Sequence, residues 1–122
     1  MIPNDPNKRG LRRIWHAAGY SLAGLVVAVQ KGPAFRQALL LAAVLVPLAL
    51  VVGHGAVERA LLIGSVALVL IVEVLNSAIE ATVDRVSLEP HPLAKHAKDL
   101  GSAAVFLSLA NLGVVWVLVL LG

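Results

Sequence analysis

Five side chains able to hold a proton, a hydrogen bond or a hard cation recur within one short stretch. They are Glu73, Asn76, Ser77, Glu80 and Asp84, in IVEVLNSAIEATVDR at 71–85. At about 100° per residue, a helix gathers them on a strip about 100° wide. The other side carries Val72, Val74, Leu75, Ala78, Ile79 and Val83. The stretch begins inside a run apolar enough to cross a membrane. Glu73 lies about 20 Å from the outer end of that run and about 9 Å from the inner end. An unpaired charge at a bilayer centre costs about 2.5–3.5 kcal/mol on insertion scales, and less at this shallower depth.

Two chemistries compete for such a carboxylate. It can bond to neighbouring helices and fix their packing, as a single buried asparagine does. It can also act as a general base just below the headgroups, where a lipid hydroxyl sits. Packing needs one polar anchor, whereas Glu80 and Asp84 extend the row one and two turns further towards water. Their hard oxygen atoms suit Mg²⁺, which usually arrives with phosphates. His91, Lys95 and Lys98 lie close in sequence and can hold anionic oxygens. The parts fit phosphoryl transfer from a soluble nucleotide to a lipid alcohol, a reaction that needs mainly positioning and charge neutralisation. A non-catalytic membrane assembly or a proton-linked carrier would use Glu73 as well. It would not account for the water-facing Glu80, Asp84, Lys98 and Asp99 together.

Other chemistries lack their residues. There is no GxxxxGK[ST] loop and no protein-kinase motif set. Cysteine is absent, which removes disulfides and thiolate metal sites. His91 and His96 fall about 140° apart on a helix, a poor metal pair. His16 and His54 read as surface residues, and no Ser-His-Asp spacing stands out.

The elements that must position the strip follow from hydropathy. The chain is 59% hydrophobic and 14% charged, against about 45–50% and about 25% in soluble domains, so lipid is the expected solvent. The fold class is an all-α membrane protein, expected as a single domain over 1–122. Residues 1–8 are polar with two prolines and are expected to fray. Across 9–31, Leu11, Ile14, Trp15, Ala18, Leu22, Leu25, Val26 and Val29 form one stripe, with Arg9, Arg12, Arg13 and His16 largely elsewhere. Such a basic amphipathic helix lies in the interface. Tyr20 and Ser21 interrupt its apolar part and no A-x-A site follows, so it is expected to be retained and not cleaved as a signal peptide.

Three spans are expected at 35–52, 60–79 and 100–121, each long enough to cross a bilayer. Gly32-Pro33 ends the surface helix, and Pro33 can open the next. Pro47 is expected to kink the first span. The polar segment 80–99 reads as a connector, with Glu-Pro-His-Pro stopping one helix and Pro92 starting another. Gly101, Ser102, Ala103 and Ala104 open the last span and let helix backbones approach closely.

The net charge is +3 and the pI about 9.8. The basic residues flank the apolar runs and offer no stacking platform, so anionic headgroups are their expected partners, not nucleic acid. Lys8, Arg9, Arg12, Arg13, Lys31 and Arg36 precede the first span. Arg85, Lys95 and Lys98 lie in the 80–99 connector, and Arg59 alone lies in the first loop. The positive-inside rule places the N-terminus and that connector in the cytoplasm and the C-terminus outside.

Four blocks carry a resemblance. VEVLNSAIEATVDR at 72–85, AKDLGSAAV at 97–105, AAGYS at 17–21 and AFRQ at 34–37 resemble, in order and spacing, the signatures of the small prokaryotic diacylglycerol kinases. The likeness runs over about residues 10–121. It implies a homotrimer of three-span subunits in the bacterial cytoplasmic (inner) membrane, with active sites shared between neighbours. It implies that MgATP donates its γ-phosphate to the hydroxyl of diacylglycerol, giving phosphatidic acid. On this likeness Glu73 is the general base, Asn76 supports the site and Glu80 contacts metal and nucleotide. Arg13, Tyr20, Glu89, His91, Lys98 and Asp99 would surround the nucleotide. Ser21, Arg36 and Ser102, with Glu73, would meet the lipid or shape its pocket.

Two positions depart from the family pattern. Gly32 stands where the family usually has a metal-binding glutamate, which leaves Asp84, Asp99, water or the phosphates to complete the metal's shell. Pro90 stands where tyrosine is common. HPLAK at 91–95 is similar to relatives that phosphorylate undecaprenol, the alternative lipid.

Overall fold

The computed structural model describes residues 6–122. Four helices follow one another: α1 (Pro6–Lys31), α2 (Pro33–Val52), α3 (Gly55–Val86) and α4 (Pro92–Leu121). The last three are long and apolar enough to cross a membrane. α1 begins at Pro6, a residue suited to a first helical turn because its missing N–H has no partner to lose there. Positions 1–5 of the segment expected to fray lie outside the described residues.

Each break has a local cause. Gly32 is extended, and its N–H donates to Ala28 O at 2.9 Å. Pro33 then sits at the start of α2. The Arg36 guanidinium reaches back and donates through Nη1 to Val29 O (2.8 Å) and Gln30 O (3.0 Å). It thereby satisfies carbonyls that the end of α1 would leave bare. α2 continues through Pro47 to Val52.

The loop expected across 53–59 is shorter in the structure, since α3 starts at Gly55. Gly55 has φ +87°, a left-handed geometry that glycine adopts without strain. Glu58 lies in the first turn of α3, where an anion complements the helix dipole. It accepts from the His54 N–H at 3.2 Å. The 80–99 connector is likewise mostly helix. α3 continues to Val86 and α4 starts at Pro92, leaving 87–91 as the turn. A helix does not stop where its sequence becomes polar; it stops where its backbone is blocked. Here the blocks are Pro90 and Pro92, which restrict the residues before them. His91 caps α4, its Nδ1 accepting from the Leu93 N–H at 3.1 Å.

α3 is the central helix. It packs along α4 and α2, while α1 touches α2 and α3 only lightly. Ala42 and Ala49 of α2, Leu62 and Val66 of α3, and Trp116 of α4 form the core. The alanines matter because apolar attraction between helices vanishes in lipid, so close packing must replace it. One polar chain crosses this core. Trp116 Nε1 donates to Ser65 Oγ (3.1 Å), and Ser65 Oγ donates to Leu62 O (2.7 Å). The indole N–H is thereby paired inside the core. Outside the core, Leu61, Ile71, Phe106 and Leu118 stay exposed on the single chain, as faces that meet lipid or another copy do.

Candidate functional site

The polar strip of α3 forms one wall of a groove about 720 Å³ in volume. Glu73, Asn76, Ser77, Glu80 and Asp84 all line it. The facing wall is the corner between α1 and α2, including Ala28, Lys31 and Gly32. Burial falls along the strip. Glu73 is 7% exposed, Asn76 and Ser77 are half-buried, and Glu80 and Asp84 are exposed. A carboxylate held among apolar residues is therefore joined, through one surface, to carboxylates in water.

Asn76 links the dry and wet ends. Its Nδ2 donates to Glu80 Oε1 at 3.3 Å, the neighbour one turn on. Its Oδ1 is buried against α4 without a hydrogen-bond partner. The close neighbour is Gly101, where a Cβ would overlap Asn76 Oδ1. The small-residue start of the last span thus has a specific use, which is to let α4 lie against the Asn76 carboxamide.

A second cavity, about 670 Å³, opens at the turn between α3 and α4. Asp84, Glu89, His91, Lys95, Lys98 and Asp99 line it. Asp84 borders both cavities and so joins them. Lys98 Nζ pairs with Asp84 Oδ1 at 2.8 Å, and Lys95 Nζ with Asp99 Oδ2 at 2.6 Å. These cations are held by exposed carboxylates, an arrangement that a more strongly charged phosphate can displace, since surface pairs are worth only about 0–1 kcal/mol.

The single chain does not gather every residue implied by sequence. Glu73, Asn76 and Glu80 share the groove, and Glu89, His91, Lys98 and Asp99 share the second cavity. Arg13 and Tyr20 are exposed on α1 and line neither. Tyr20 stacks on His16, with ring centroids 6.5 Å apart. The Ser21 hydroxyl turns back to Ala17 O at 2.9 Å. Arg36 is engaged by the α1 carbonyls. Ser102 is exposed beside Gly101 and borders neither cavity.

Two residues have a place at the site that the sequence does not mark. Lys31, read from sequence only for sidedness, lines the groove, and Gly101, read only for helix packing, lies against Asn76 from α4. No local spacing marks either, because each meets the strip from a different helix.

The chemistry available is a buried proton acceptor, oxygen ligands for a hard cation, and lysines able to take phosphate. Among the described residues no three His, Asp or Glu converge closely enough to hold a metal alone. Mg²⁺ commonly takes one or two carboxylates and completes its shell with phosphate and water.

Comparison with known proteins gives the same answer from another direction. The family profile described as Prokaryotic diacylglycerol kinase matches residues 19–120. The chain is 58% identical over 113 residues to the diacylglycerol kinase of Pseudomonas aeruginosa, covering 93% of this chain and 92% of that one. It is 46% identical over 114 residues to the diacylglycerol kinase of Escherichia coli, covering 93% of each. For the diacylglycerol kinase of Haemophilus influenzae the identity is 45% over 107 residues, covering 88% of this chain and 91% of the relative. A likeness this deep extends from α1 to the end of α4 and includes the whole acidic strip, and on that ground the chain belongs to the prokaryotic diacylglycerol kinase family.

Proposed function

We propose that the protein transfers the γ-phosphate of ATP to the hydroxyl of diacylglycerol at the cytoplasmic face of the bacterial inner membrane. The observation that carries this reading is the gradient along α3. Glu73, 7% exposed, opens through Asn76 and Ser77 onto Glu80 and Asp84 in a single groove. A lipid hydroxyl at headgroup depth reaches the dry end. A nucleotide enters from the wet end.

In this reading Glu73 accepts the hydroxyl proton. The lipid oxygen forms a bond to the γ-phosphorus, the bond from that phosphorus to the β-bridging oxygen breaks, and ADP leaves. Asn76 holds Glu80 in place through its 3.3 Å hydrogen bond. Glu80, with Asp84 beside it, suits Mg²⁺ carried in by the nucleotide, which would offset phosphate charge. Asp84 lines the same groove as Gly32 and would stand in for the ligand absent there. Glu89, His91, Lys98 and Asp99 surround the nucleotide in the second cavity. Arg13 and Tyr20 serve it from α1, and Ser21, Arg36 and Ser102 meet the lipid.

The same reading calls for a homotrimer. Arg13, Tyr20 and Ser102 line neither cavity of their own chain, so a neighbouring subunit's groove is where they would act. In this reading the N-terminus and the 87–91 turn lie in the cytoplasm and the C-terminus outside, as the distribution of basic residues favours.

The test is transfer of labelled phosphate from ATP with Mg²⁺ in mixed micelles, to diacylglycerol or to undecaprenol, by the wild type and by Glu73→Gln. Diacylglycerol is expected to be the better acceptor and the variant to lose turnover. Transfer to neither lipid removes the kinase reading. Preference for undecaprenol reassigns the acceptor, and equal rates in variant and wild type remove Glu73 as the base.

A further inference from the structure

We propose that Lys31 supplies the positive charge that meets the transferred phosphoryl group from the wall opposite the acidic strip. The proposal rests on the lipid-kinase reading above and adds a binding residue to it.

The groove is electrostatically lopsided. Glu73, Glu80 and Asp84 line one wall. From the α1–α2 corner, Lys31 is the one charged residue that lines the other. Nearby cations already have partners, Lys98 on the acidic strip itself. Lys98 is held by Asp84, Lys95 by Asp99, and Arg36 by the carbonyls of Val29 and Gln30. Lys31 is exposed and makes no ion pair with another described residue.

A basic residue in the last turn of a helix often serves the helix dipole. At this end of α1 that need is already met. Ala28 O accepts the Gly32 N–H, and Val29 O and Gln30 O accept from Arg36. Lys31 is left with a flexible stem, three donors and an open groove. Lysine binds phosphate as a compact point charge with no fixed angular demand. That suits a group which changes its bonding partner during the reaction.

The corner beside Lys31 is tight: a Cβ on Gly32 would stand 2.7 Å from Ala28 O, so a side chain at 32 requires the corner to shift. A phosphoryl group entering the groove meets three carboxylates on one side. Beyond the charge that Mg²⁺ on the acidic wall would offset, Lys31 is placed to compensate the group from the other side.

The ligand chemistry has two sources, the terminal phosphate of the nucleotide before transfer and the phosphate of the lipid product after it. Full-length protein in mixed micelles is compared as wild type, Lys31→Gln, Lys31→Met and Lys31→Arg. Equilibrium binding of the β,γ-imido analogue of ATP and of AMP is measured with Mg²⁺ present, alongside product inhibition by phosphatidic acid and the thermal unfolding midpoint.

Loss of the charge is expected to weaken imido-ATP binding about tenfold while AMP binding stays unchanged, with recovery in Lys31→Arg. Weakened inhibition by phosphatidic acid with unchanged imido-ATP binding also supports the proposal and assigns the contact to the product. Unchanged imido-ATP binding together with unchanged product inhibition in both neutral variants overturns it. So does a fall in unfolding midpoint that weakens imido-ATP and AMP alike, which marks a structural role. A wild type that binds imido-ATP through Lys31 yet phosphorylates no lipid sinks the kinase reading and leaves the phosphate contact standing. A wild type that neither binds imido-ATP nor is inhibited by phosphatidic acid overturns the Lys31 assignment itself.

Discussion

In the proposed reaction Glu73 is the residue on which the chemistry turns. Its carboxylate is buried, yet it shares a surface with Glu80 and Asp84 in water. As the proposed base at that depth it would meet a hydroxyl that the bilayer itself delivers, without extraction of the lipid. Replacing it by glutamine keeps the shape and removes the proton acceptor. Glu73→Gln is expected to lower turnover by about 10²–10⁴-fold, the usual worth of general base catalysis. Its KM for ATP is expected to stay within about threefold, since removal of a group that acts in the transition state leaves ground-state binding intact. Steady-state kinetics with ATP varied at saturating lipid checks both numbers. A rise in KM at unchanged kcat would instead mark Glu73 as a binding group.

At the scale of elements, the site depends on how closely α4 lies against α3. Asn76 holds Glu80 at 3.3 Å while its own carbonyl oxygen rests against Gly101. Gly101→Ala places a methyl group where that oxygen sits. Either α4 shifts outward or Asn76 changes rotamer, and both disturb Glu80. The expected cost is about 1–3 kcal/mol of stability, as for other overpacked sites, with a fall in turnover of about tenfold, equivalent to about 1.4 kcal/mol of activation free energy. Unfolding in mixed micelles and an activity assay on the folded fraction separate the two effects. Full activity in the folded fraction would show that the Asn76 seat does not govern the site.

At the scale of the molecule, three apolar helices have exposed outer faces and α1 is lightly packed. The proposed trimer, with sites shared between subunits, predicts complementation. Arg13→Ala and Glu73→Gln chains, each inactive alone, are expected to regain part of the wild-type activity when unfolded in acidified organic solvent, mixed and refolded together. No recovery would place Arg13 and Glu73 in the same subunit's site. Sidedness is testable because the chain has no cysteine. A single cysteine at Ser87 is expected to react with an impermeant thiol reagent only from the cytoplasmic side, and one at His54 only from outside. The reverse pattern would put the nucleotide residues on the wrong side of the membrane for ATP.

The amino-acid sequence determined whatever depends on one helix at a time. Apolar runs of spanning length, the polar strip from Glu73 to Asp84 and the proline-bounded turn before Pro92 are all local. Each follows from the 3.6-residue period or from backbone restriction at proline. Helix lengths were less legible, because polarity falls at the membrane boundary while the helix of Glu80, Asp84 and Arg85 continues to Val86. Tertiary structure decided what stands across from the strip: Lys31 and Gly32 on the facing wall, and Gly101 against Asn76. It also turned Arg36 onto the end of α1. The helical period says which side chains share a face of their own helix. Only the packing of alanines, glycines and the α1–α2 corner selects which face of the neighbour each one meets.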